Sequence, residues 1–396
     1  MNILVITQYF WPENFRINEL CKFLSKKKKI TVLTSKPSYP NNEIYLKYKN
    51  IDNIGKVKII RVPTISRGSN KLTLILNYLF FIFFSILYSI KISITKKVDK
   101  VIVFGTSPPT GLIAAHIIRI FKNADLHYWI LDLWPNTISA FGYKKKSLIY
   151  QLIEKFMNYS YRKSKYVYCQ SLSIQKIISK KTKTKISAVH FPSWSEKFIK
   201  NEKKRSYRNI ISKKNFNIMF TGNIGQAQDF GSVVKAAKIL KKIENIKLII
   251  VGSGRYKVKL KNLIIKNNLE DNFTLLDHQN KKYMNYLLSL SDCLLISLKK
   301  KKVFSVTVPG KLSNYLNSSI PILGMIDGET KKIIEQSKGG IVCGSGEYKE
   351  LAKNVLRLSK KTLKKRQQMG KNGLNYSKMY FSEIKLLRLF EYYLSR

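Results

Sequence analysis

The feature that most restricts this chain is an alternation, repeated in two series, of short apolar runs of strand type with helical segments. Asn2 to Ile6 reads as a buried strand, the loop TQYFWPENF follows, a helix runs from about Phe15 to Lys27, and Ile30 to Thr34 is the next strand. A strand–helix–strand opening of this length implies parallel strands joined by a right-handed crossover. The pattern continues at Val57–Val62, Lys100–Phe104, Leu126–Leu131, Tyr166–Cys169 and Ile186–His190. It restarts at Phe216–Thr221, Lys247–Val251, Phe273–Leu276, Cys293–Leu298 and Ile320–Met325. Between the two series, Ser195 to Lys214 is polar, basic and poor in apolar periodicity, and reads as a linker. A chain of 396 residues is long for one core, so two α/β domains are expected, each a doubly wound parallel sheet. Such sheets bind ligands at the carboxyl ends of their strands, which makes the cleft between two facing domains the default site.

The stretch FSVTVPGKLSNYLNSSIPILGMIDGE, Phe304 to Glu329, concentrates chemistry on this framework. Pro309 and Gly310 mark a turn into a helix on which Leu312, Tyr315 and Leu316 face a core while Lys311 and Asn314 share the other side. A helix start with free amides, a glycine and a lysine is a ready phosphate site. Gly222, Asn223 and Gly225 in GNIG follow a strand and precede a helix, a second position where bare backbone can cradle phosphate. The GSG turn at Gly252 lacks the full dinucleotide fingerprint, and the sequence has neither a P-loop nor G-x-S-x-G. No cofactor or metal is expected: Asp327-Gly328-Glu329 is a single acidic pair, and Cys21, Cys169, Cys293 and Cys343 are widely spaced and read as reduced core thiols.

In the first half, Asp132 closes an apolar strand just before Trp134 and Pro135, where a carboxylate can orient or deprotonate a hydroxyl, or simply cap a turn. Pro12 and Glu13 lie in the first loop, where they are candidates for contacting a second substrate, and His278 ends another strand as a candidate ligand. Leu72 to Ile90 carries no charged residue. As a helix it spans roughly 28 Å, close to the hydrocarbon thickness of a bilayer. Strands on both sides of it argue against a full span, and Thr73, Asn77, Ser85 and Tyr88 cluster toward one face. The preferred reading is a helix that packs on the sheet and exposes an apolar flank to a membrane surface. Lys+Arg 73 against Asp+Glu 23 gives a net charge of +50, which favours anionic partners, although the lysines are spread along the whole chain. MNILVITQYF opens as a strand without a basic leader, so a cytoplasmic, reducing location is expected.

Together, TGNIGxAQ (Thr221–Gln228), VPGKLxNYL (Val308–Leu316), GMIDGE (Gly324–Glu329), LDLWP (Leu131–Pro135), WPE near residue 11 and a YP loop near residue 39 resemble family 4 glycosyltransferases. The similarity is greatest to the bacterial surface-polysaccharide branch whose members are named N-acetyl-L-fucosamine transferases. The resemblance implies a GT-B architecture of two Rossmann-like domains with parallel sheets facing across a cleft. Residues 1–195 would bind the acceptor, 196–214 would link, 215–370 would bind a UDP-sugar, and a helix within 371–396 would pack back on the first domain. It implies transfer of a sugar, an N-acetylated deoxy-sugar in this branch, to a polyprenyl-diphosphate-linked saccharide of O-antigen or capsule type, with retention and without a metal. Gly222–Gly225 and Pro309–Lys311 would hold the diphosphate, with Lys311 neutralising the leaving group and Asp132 near the reacting hydroxyl. Asn314 stands where many members have the second Glu of E-x7-E, the first Glu is also missing, and Glu329 would compensate as a ribose ligand. The expected location is the cytoplasmic face of an anionic membrane. Two alternatives are a UDP-sugar epimerase of similar two-domain fold, and a basic nucleic-acid-binding protein. The second is disfavoured, since no clustered aromatic and basic surface is evident.

Overall fold

In the computed structural model, which describes all residues except 39–51, 67–69, 140–141, 183–186, 197–201, 204–205 and 244, the alternation resolves into two sheets. One belongs to a unit of Met1–Phe191 and Ile384–Arg396, the other to a unit of Pro192–Glu383. The YP loop near residue 39 falls outside the described residues.

The first unit contains β1 (Asn2–Ile6), β2 (Lys29–Ser35), β3 (Asn53–Ile54), β4 (Val57–Val62), β5 (Lys100–Gly105), β6 (Asp125–Ile130), β7 (Tyr166–Cys169) and β8 (Ser187–His190). Their order is β3-β4-β2-β1-β5-β6-β7-β8, parallel except for the antiparallel β3–β4 pair. All six residues of β5 are buried, as expected of a parallel strand covered on both faces. Two polar side chains inside this layer are paired: Lys100 with Asp125 at 2.9 Å, and His127, through Nδ1, with the Tyr168 hydroxyl at 3.0 Å. Burial and the nearby Lys100 push the His127 imidazole down to about 3, which keeps it neutral. The terminal helix Glu383–Ser395 completes this core: Phe390 stacks on Tyr168 at 4.2 Å, and Glu391 pairs with Lys28 at 2.9 Å. Residues 371–380, which the sequence placed with this terminal segment, instead continue the helix Leu363–Tyr380 of the second unit. The break comes only at Phe381, which is buried in that unit's core.

Three helices of the first unit matter below: α1 (Ile17–Leu24), α2 (Lys71–Thr95) and α3 (Leu112–Lys122). α2 begins where the Asn70 side chain accepts from the Thr73 amide, and it packs against α3, β4 and β2. Its inward face carries Asn77, Phe81, Ser85, Ser89 and Ser93 at intervals of four. Asn77 ties it down, accepting from Gln8 Nε2 at 2.8 Å and donating to the Ile65 carbonyl. The polar cluster expected from the sequence is thus the packed side, and of its members Asn77 and Ser85 are fully buried while Thr73 and Tyr88 are half-buried.

The second unit contains β9 (Phe216–Thr221), β10 (Ile246–Val251), β11 (Phe273–Leu276), β12 (Cys293–Ser297), β13 (Ile322–Met325) and β14 (Gly340–Cys343). All are parallel, in the order β11-β10-β9-β12-β13-β14. The direction of winding reverses between β9 and β12, the switch point at which open α/β sheets present a ligand crevice. Part of the stretch 196–214 that composition marked as linker is structural: the helix Ser206–Ile210 buries Tyr207, and Ile211 joins the same core. Spacing of four puts both on one helix face, a periodicity too short to stand out among so many lysines.

Candidate active site

Two loops flank the switch point of the second unit: Gly222–Gly225 after β9, and 298–309 after β12, which ends in the helix Gly310–Asn317. Gly222 has φ +117, and its exposed backbone turns across the end of β9. Gly252, with φ +147, lies so close to it that a Cβ there would strike the Gly222 carbonyl. The GSG turn, which resembled no nucleotide motif, therefore supports the GNIG loop from below; Ile224 N donates to Ser253 O at 2.8 Å. Asn223 is exposed, and Gly225 precedes the short turn Gln226–Gln228.

On the other side, Pro309 is the N-cap of the helix and Gly310 its exposed first residue, with nothing within 4 Å of where a Cβ would sit. The Tyr315 hydroxyl accepts from Thr221 N at 2.8 Å and lies 3.1 Å from Thr221 Oγ1. Lys311 is one turn before Tyr315 and shares its face. Its Nζ rests 3.4 Å from the centre of the Phe220 ring, and a Cβ on Gly222 would be 3.7 Å from it. This ammonium is buried and has no hydrogen-bond partner among the described residues. Burial pushes its pKa down to about 7. A cation held dry against an aromatic face, beside bare backbone at a switch point, is a site prepared for an anion.

The sequence placed Asn314 on the same side as Lys311, and the structure separates them. Asn314 Oδ1 accepts from Glu196 N at 2.8 Å, while Ser313 Oγ donates to Trp194 O, so Asn314 helps hold the start of the unit. The two positions are only about 60° apart around the helix axis, and it is their different neighbours that set them apart. Glu329 is buried in the first turn of the helix Gly328–Ser337, at the end of β13 next to β12. His278 is exposed after edge strand β11, two strands from β9 and thus roughly 10 Å aside from the Lys311 group. Tyr315, Thr221 and Phe220 were missed as site-building residues; the one signal was the spacing of four between Lys311 and Tyr315.

In the first unit, Asp132, Pro12 and Glu13 lie at the carboxyl ends of β6 and β1. Ser107 donates to the Asp132 carboxylate, and Trp134 Nε1 donates to Ser107 Oγ at 2.9 Å. Burial raises the Asp132 pKa, with the Ser107 bond opposing it. Glu13 is engaged within its own loop. It is 1% exposed, and its two oxygens accept from Phe10 N at 3.2 Å and Ser38 N at 2.8 Å, closing the loop on itself. Pro12 is half-buried in the same turn, next to Trp11, whose carbonyl accepts from Arg61 at 2.8 Å.

Residues 201–376 match the family profile described as "Glycosyl transferases group 1". The "Probable glycosyltransferase WbjE" of Pseudomonas aeruginosa is 24% identical over 297 residues, 72% of this chain and 73% of that protein. Among solved structures, sucrose-phosphate synthase from Thermosynechococcus elongatus superposes with a TM-score of 0.78 at 12% identity, over 100% of this chain and 98% of that one. Anabaena Alr3699/HepE, solved in complex with UDP and glucose, gives a TM-score of 0.71 at 14% identity, over 100% and 99%. With a group 1 domain over its second unit and two parallel-sheet units of the GT-B fold, the chain is a glycosyltransferase.

Proposed function

We propose that this enzyme moves a sugar, an N-acetylated deoxy-sugar, from a UDP-sugar to a lipid-linked saccharide during O-antigen or capsule-type polysaccharide synthesis at the cytoplasmic face of a membrane. The observation that carries the reading is the dry, unpartnered Lys311 ammonium beside Gly222. A nucleoside diphosphate brings two negative charges to that point. Lys311 compensates one of them, and the amides of the Gly222 loop and of the helix start at Gly310 donate to the remaining oxygens. When the glycosidic bond to the diphosphate breaks, charge grows on the leaving oxygen, and a preplaced cation stabilises that state more than the bound donor. The UDP complex of the similarly folded Alr3699/HepE supports a UDP-linked donor. In the first unit, Asp132 would orient the acceptor hydroxyl, and its raised pKa suits a group that takes up a proton as the bond forms. Transfer proceeds with retention and needs no metal in this reading, since Lys311 supplies the charge.

Purified enzyme incubated with a panel of UDP-sugars and a polyprenyl-diphosphate saccharide should release UDP and lengthen the acceptor by one sugar. Release that depends on the acceptor supports the reading. An epimerised donor without transfer, or no turnover across a broad panel, overturns it.

A further inference from the structure

The outward face of α2 is the reverse of a soluble helix. Its serines and Asn77 are buried, while Leu72, Ile75, Leu79, Phe83, Leu87 and Ile94 are exposed. On a helical wheel the exposed set falls within an arc of about 120°, and it extends along roughly 33 Å of helix. α3, packed alongside, adds exposed Ile120 and Phe121. A contiguous apolar surface of this kind marks an interaction site. Where the two helices end, their carboxyl termini frame a shallow basin of about 580 Å³ lined by Ile94, Lys96, Lys97, Lys122 and Asp99. Asp99 is engaged, since its carboxylate accepts from Asn2 N at 2.7 Å. Among the described residues none of the three lysines makes an ion pair. Burial and the charge of Lys58 hold Lys96 below its ordinary range, so a bound anion would relieve the cluster.

We infer that the α2–α3 face is a membrane-docking surface on which α2 lies in the plane of the bilayer, its apolar flank among the acyl chains and Lys96, Lys97 and Lys122 on the phosphates of anionic lipid headgroups. Apolar flank and cationic rim adjoin at one end, which is the order of chemistry met on crossing from acyl chain to headgroup. A second copy of this chain is disfavoured as the occupant, because it would bring like charges together at that rim. The polar contacts of the inward face, Gln8 to Asn77 above all, would be lost if α2 were surrounded by lipid, so it lies on the membrane rather than crossing it. The inference deepens the proposed membrane-face function and can be tested without it.

Full-length protein is sedimented with phosphatidylcholine vesicles, with and without phosphatidylglycerol. Wild type should partition onto the phosphatidylglycerol vesicles, and salt should weaken it. The Lys96→Gln/Lys97→Gln/Lys122→Gln variant should lose roughly fivefold per lysine on those vesicles. Leu79→Ser/Phe83→Ser/Leu87→Ser should abolish binding to both vesicle types. Thermal melting of the first unit, monitored by circular dichroism without vesicles, should be unchanged in both variants and serves as the check on folding. Either variant folding but binding like wild type overturns the inference. A wild-type dimer in solution that the serine variant converts to monomer also overturns it, by assigning the flank to a second copy. Vesicle binding needs no donor, and UDP release from the donor in the presence of a soluble acceptor analogue needs no vesicle, so the failure of one reading is distinguishable from that of the other.

Discussion

Lys311 and Glu13 show how burial sorts two charged residues into opposite roles. The Lys311 ammonium is buried without a partner, so its charged form is costly until an anion arrives. Its folded pKa of about 7 lies below the ordinary lysine value, so above neutral pH the unfolded chain holds more protons there. That contribution to stability therefore increases with pH from about 7 up to the unfolded lysine range and is flat below it. Diphosphate binding pulls the pKa back up, so calorimetry at pH 8 in buffers of different ionisation enthalpy should show proton uptake on UDP binding, and Lys311→Ala should abolish it. The same substitution should lower kcat/KM by about 10²–10³ and leave the melting temperature unchanged or raised. Glu13 is buried with its oxygens committed to two backbone amides. Glu13→Ala should cost about 1–3 kcal/mol in denaturant unfolding with KM for the acceptor unaltered; a raised KM at unchanged stability would restore it to the binding set.

At the scale of elements, the helix Gly310–Asn317 is aimed by Tyr315, whose hydroxyl reaches the end of β9 and so brings Lys311 over Phe220. Tyr315→Phe removes that anchor; about 1 kcal/mol of stability should go with it, and UDP affinity should fall even though no substrate contact is deleted. Gly310 tests what the helix start is for. With open space around its missing Cβ, Gly310→Ala should stabilise the free enzyme by up to about 1 kcal/mol, because alanine is the better helix former. If the start of the helix receives phosphate, the same methyl group should weaken UDP binding. A gain in stability with undiminished affinity would move the diphosphate elsewhere. The pairing of β9 and β12 matters equally, since the reversal of winding between them holds the two loops on adjacent strands.

For the whole molecule, the chain leaves its first unit at Phe191 and returns at Ile384 to complete it. Phe390 and Leu394 are fully buried in that unit, so deleting residues 384–396 should lower the melting of the first unit and leave UDP binding by the second in place. Loss of UDP binding on deletion would show that the second unit depends on the first. How much of this was readable in advance follows from the range of the forces involved. The strands, the two α/β series and the glycine and proline positions of both phosphate loops are written locally, because period, turn chemistry and backbone permissiveness act within a few residues. The charge-free run at Leu72–Ile90 likewise announced an unusual helix. Which of its faces is packed, however, was fixed by Gln8, sixty-nine residues away from Asn77. Asn314 and Lys311 looked alike as neighbours on one turn, and only the arrival of Glu196 at one and of Phe220 at the other set them apart. Sequence alone determined the elements and the bare backbone of the loops. Tertiary structure decided which polar groups are spent on holding the fold and which is left dry and unpaired, since burial and partnership are made by segments that meet only when the sheets assemble.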